Sequence, residues 1–65
     1  MKYKFGDKVK VIEGFYEGFT GYVLSGNEYH SATIYEIEGC RMDILRHRTL
    51  VTKCFAEKIL QKVED

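Results

Sequence analysis

A chain of 65 residues, 45 % hydrophobic and 31 % charged, has room for one domain. Its core is too small to enclose a deep substrate cavity, so neither an enzyme nor a small-molecule substrate is expected. Ten Lys plus Arg are matched by ten Asp plus Glu, so no overall basic field points to nucleic acid, and any such contact must be local.

No long apolar run and no signal-peptide core follow Met1, so no membrane partner is expected and the setting is read as cytoplasmic. Two cysteines, Cys40 and Cys54, are too few for a secreted disulfide scaffold and are read as reduced, buried, inert thiols.

Lys8-Val9-Lys10-Val11-Ile12 alternates lysine with β-branched residues, the period of a strand with Val9 and Val11 turned inward. Gly14, Gly18 and Gly21 follow too densely for a helix, where each costs about 1 kcal/mol relative to alanine, and predict a shaped turn. Thr20 to Ser25 reads as a second strand, with Tyr22 and Leu24 on one face and Val23 on the other, ended by Ser25-Gly26-Asn27. Ala32 to Glu38 reads as a third, with Thr33, Tyr35 and Ile37 alternating against Ile34 and two glutamates, ended by Gly39.

Arg41 to Leu45 fits either a strand or one helical turn, and Arg46-His47-Arg48 is a basic cluster. Thr49 to Cys54, rich in β-branched residues, reads as a strand. Phe55, Ile59 and Val63 recur every fourth residue, which suits a helix of barely two turns or a helical turn leading into a final edge strand. Short strands, glycine turns and no proline predict one all-β domain over residues 1–65: a small closed or nearly closed barrel, with one short helical turn near the C-terminus. Closing the sheet would hide edges that otherwise template aggregation.

The spacing Gly6-Asp7-x-Val9-x-Val11-x-x-Gly14-x-x-x-Gly18-x-x-Gly21-x-Val23 resembles the KOW motif of ribosomal proteins and of NusG- and Spt5-type elongation factors. It looks closest to the KOW domain of bacterial NusG, with Phe15 where that family usually has proline. Ile37-x-Gly39-x-Arg41 is a weaker echo of the family's Ile-Phe-Gly-Arg turn, and Arg46 to Cys54 has no counterpart. The resemblance implies an all-β SH3-like barrel of about five strands and a non-catalytic module that binds RNA or a ribosomal or transcription protein. The alternative is a small protein-binding adaptor or inhibitor, of the kind a phage encodes, acting on a host protein complex.

Phe15, Tyr16, Phe19 and Tyr22 cannot all enter so small a core, so one or two should stand on the loop as recognition surface, able to stack on bases or fill a partner's pocket. Equally, Phe15 and Phe19 fit a plain role capping the open end of the barrel. The candidate binding residues are therefore Phe15, Tyr16 and Phe19, with Lys8 and Lys10 of a lysine ladder that also takes in Lys2 and Lys4, and the forked donors Arg41, Arg46 and Arg48. His30, His47, Cys40 and Cys54 lack the close pairs of a structural zinc site, so no metal or cofactor is expected.

Overall fold

A computed structural model describes residues 1–42 and 45–64, giving the backbone alone at residues 41 and 42. Its strands are β1 (Lys8–Val11), β2 (Thr20–Glu28), β3 (Thr33–Met42), β4 (Arg48–Ala56) and β5 (Leu60–Lys62), with one 3-10 turn at Glu57–Ile59. They form one antiparallel sheet in the order β4-β3-β2-β1-β5.

Connectivity forces this sheet to curl. β4 and β5 are opposite edges, yet Ala56 and Leu60 are joined by so few peptide units that they lie at most ~14 Å apart. Flat, the same edges would stand four strand spacings apart, about 19 Å. The result is the small SH3-like, five-stranded barrel with its helical turn near the C-terminus. Its closure is covalent, through the 3-10 turn, and the outer edge of β4 is left unpaired by the sheet.

Alternation supplies the core. Val9, Val11, Val23, Tyr35 and Ile37 are fully enclosed, joined by Tyr3, Phe55 and Leu60. β2 does not end at the Ser25-Gly26-Asn27 signal. It absorbs an extra residue, Leu24, in a bulge between Val23↔Ile37 and Ser25↔Glu36, and runs on to Glu28. A bulge shifts the inward parity by one, so Gly26 takes the place opposite Tyr35. A Cβ there would lie 2.9 Å from the Tyr35 ring, which explains the glycine.

Gly39 does not end β3 either. It pairs with Gly21 in mid-sheet, and a Cβ on it would lie 2.5 Å from the Thr20 carbonyl oxygen and 2.6 Å from Phe19 Cζ. The absent side chain makes room for an aromatic ring, which local sequence cannot distinguish from a turn signal.

Ahead of β1, the Asp7 N–H donates to the Lys4 carbonyl at 3.0 Å and Gly6 adopts φ 90°, so a tight turn separates Lys2 and Lys4 from Lys8 and Lys10. The four lysines are not one strand face. Tyr3 is instead the anchor of this segment. Its ring meets Tyr35 edge-on at 5.3 Å, its N–H donates to Tyr35 Oη at 3.0 Å, and its hydroxyl donates to the Leu60 carbonyl at 3.2 Å. The Tyr35 hydroxyl in turn donates to Glu57 Oε2 at 2.6 Å, tying the 3-10 turn to β3. Both cysteines are free thiols and both are exposed, against the expectation that they are buried. Their even positions put them on the outer face of β3 and β4, while the odd positions Tyr35, Ile37 and Phe55 fill the core.

Candidate functional site

The loop between β1 and β2 is closed like a hairpin and folded twice on itself. Val11 N–H donates to the Phe19 carbonyl and Gly18 N–H to the Val11 carbonyl, each at 2.8 Å. Inside that closure, Glu17 N–H donates to Gly14 carbonyl at 3.2 Å and Phe19 N–H to Tyr16 carbonyl at 2.9 Å. Gly14 and Gly18 supply the left-handed corners, at φ 97° and 95°, that other residues adopt only with strain.

This framework sorts the aromatics. Phe19 packs on Phe55 with ring centroids 5.7 Å apart and also covers Gly39, so it caps the barrel. Tyr16 meets Phe55 edge-on at 5.8 Å and remains 38 % exposed. Phe15 touches the Tyr16 ring at 5.1 Å and is otherwise 94 % exposed.

Between this loop and β4 runs a groove of about 310 Å³, lined by Phe15, Tyr16, Glu17, Phe19, Val51 and Lys53. Lys53 Nζ sits 5.1 Å from the Tyr16 ring centroid, a cation over an aromatic face. Val51, Lys53 and Glu17 were not among the candidates drawn from the sequence. The signal for two of them was present: Phe55 must face inward, and strand alternation then carries Lys53 and Val51 to the same side.

The basic candidates are not gathered here. Lys8 and Lys10 pair with Tyr22 and Thr20 and alternate with the buried Val9 and Val11, which puts them on the outer face, away from the rings packed on Phe55. Arg46, at φ 63°, is exposed just ahead of β4, and Arg48, exposed at the first position of β4, shares the outer face with Leu50, Thr52 and Cys54. Arg41 pairs through its backbone with Thr49, and its side chain lies outside the described residues, as do Asp43 and Ile44 altogether.

A second, larger depression of about 890 Å³ lies between the β2–β3 hairpin and β5, with Lys2, Lys58, Lys62, Glu28 and Glu57 in its lining. Both of those carboxylates are engaged, Glu57 by Tyr35 and Glu28 by the N-terminal amine at 3.6 Å. The hydroxyl of Tyr35 holds the Glu57 carboxyl below the usual carboxylate range, while burial and then the Glu57 contact push the Tyr35 phenol up.

Among the described residues no group of His, Cys, Asp or Glu is arranged to hold a metal ion, and no helix is long and apolar enough to cross a membrane. No protein-family model, no curated protein and no solved structure matches the chain.

Proposed function

We propose that this protein is a non-catalytic binding module of the KOW type. In this reading it seats an extended polypeptide segment of a transcription or translation component, or of another host complex, in the groove between Phe15 and Lys53. The observation that carries it is the pairing of a nearly fully exposed phenylalanine with a loop that its own hydrogen bonds hold rigid. An anchor of this kind loses little entropy on binding, and aromatic anchors beside a partner pocket dominate most protein interfaces. The groove carries one cation, Lys53, and one anion, Glu17, a balance suited to a polypeptide rather than to a phosphate backbone.

A second reading, single-stranded RNA, is supported by Arg46 and Arg48 standing exposed near one end of β4 and by the Lys53–Tyr16 pair further along it. The test is selection of peptides from a random library on the folded protein, followed by affinity measurement over a range of salt. A groove ligand of the polypeptide kind should lose at least about tenfold in affinity on Phe15→Ala, and should vary little with salt. Failure to select any Phe15-dependent peptide, together with RNA binding that falls steeply with salt, would favour the second reading.

A further inference from the structure

β4 is a nine-residue strand that hydrogen-bonds only to β3. Among the described residues, no backbone hydrogen bond outside that ladder reaches residues 48–55, and Ala56 caps the 3-10 turn. Edge strands are usually blunted by a proline, a bulge or a guarding lysine. β4 has no proline, and its register with β3 runs unbroken from Arg48 to Ala56. Its single lysine, Lys53, is drawn aside over the Tyr16 ring. Leu50, on the outer face, is 66 % exposed.

We infer that this edge pairs with the β4 edge of a second copy of the chain. A strand that pairs with its own copy about a two-fold axis runs antiparallel and sets residues of one face opposite each other, so the axis passes through a residue. Placed at Thr52, it matches the whole of β4 end to end. Thr52 then meets Thr52, Leu50 meets Cys54, Val51 meets Lys53, Thr49 meets Phe55 and Arg48 meets Ala56 of the second copy. No cation opposes a cation, the exposed Leu50 gains an apolar neighbour, and a threonine pair of a kind favourable in sheets sits on the axis. Moving the axis to Lys53 sets ammonium against ammonium, and moving it to Val51 leaves Phe55 and Ala56 without partners.

The dimer is a continuous sheet with both aromatic grooves on one side, since Val51 and Lys53 line the groove in each copy. A ligand long enough to reach both would bind with the gain of a bivalent contact.

The test begins with sedimentation equilibrium of the intact protein from micromolar to millimolar concentration, with a doubling of mass expected. Leu50→Cys in a Cys40→Ser background then reads the register. Within one chain residue 50 pairs with Cys40, so that thiol must be removed, whereas residues 50 and 54 of one strand are too far apart to bridge. Mild oxidation should therefore yield a 50-to-54 disulfide of twice the monomer mass. Thr52→Asp, at an exposed position, should weaken the dimer roughly tenfold or more while leaving the monomer's circular dichroism unchanged. A monomer at every concentration would overturn the inference, as would a dimer that neither forms the 50-to-54 bridge nor responds to Thr52→Asp.

Discussion

Phe15 and Phe19 lie in one loop and serve opposite ends. Phe19 is held between Phe55 and the Gly39 backbone, so Phe19→Ala should remove about 2–3 kcal/mol of stability, read by urea unfolding. Phe15→Ala should change stability by less than about 0.5 kcal/mol, because it buries little.

Tyr35 ties the N-terminal segment to the 3-10 turn, accepting from Tyr3 N–H and donating to Glu57. Tyr35→Phe keeps the ring but leaves the buried Tyr3 N–H without an acceptor, an expected cost of about 1–3 kcal/mol. Glu57 titrates below its ordinary value in the folded chain, so as pH falls the unfolded chain takes up the proton first. Its contribution is complete above the ordinary carboxylate range and fades as pH drops through and below it. The melting temperature should fall across that acid range in the native protein and fall less in Glu57→Gln.

Alternation and glycine density are enough to place β1, the body of β4 and the shaped β1–β2 loop, because each rests on local chemistry, whereas the four-residue spacing near the C-terminus fits a two-turn helix as well as the turn and edge strand that the fold adopts. Three strands run longer than the sequence suggests: β4 by one residue at its start and two at its end, and β2 and β3, whose expected ends fall at glycines. Gly26 and Gly39 look like terminators, but Gly26 leaves space for the Tyr35 ring, and Gly39 for the Thr20 carbonyl and the Phe19 ring. Such a cause is tertiary and leaves no trace in its neighbours. Gly39→Ala should therefore cost about 1–3 kcal/mol through overpacking, despite alanine's ordinary preference over glycine inside an element. A thermal melt decides it: an unchanged midpoint would mean that both the Thr20 carbonyl and the Phe19 ring give way freely.

The groove was half visible in the sequence. Its aromatic wall was marked by the crowding of rings between glycines. Its β4 wall depends on the long β3–β4 register, which brings Val51 opposite Gly39 and Lys53 opposite Ile37.

The short link from β4 to β5 closes the sheet and gives it two unlike regions. A core of Tyr3, the valines, Tyr35 and Leu60 holds the closure, and the aromatic loop stands beside β4, the edge the closure leaves open. Lys8 and Lys10, which the sequence suggests as partners for those rings, are set apart by the two faces of β1. That separation is why the account favours a polypeptide in the groove over a phosphate backbone.

The most direct measurement is an amide-resolved NMR titration, run in parallel with a library-selected peptide and with mixed-sequence single-stranded RNA, each at low and high salt. The account predicts that the peptide shifts residues 15 to 19 and 51 to 53 at both salt concentrations, and that Phe15→Ala abolishes the shifts. Shifts at those residues produced by RNA alone and erased by salt, or no shift there with either ligand, would contradict it.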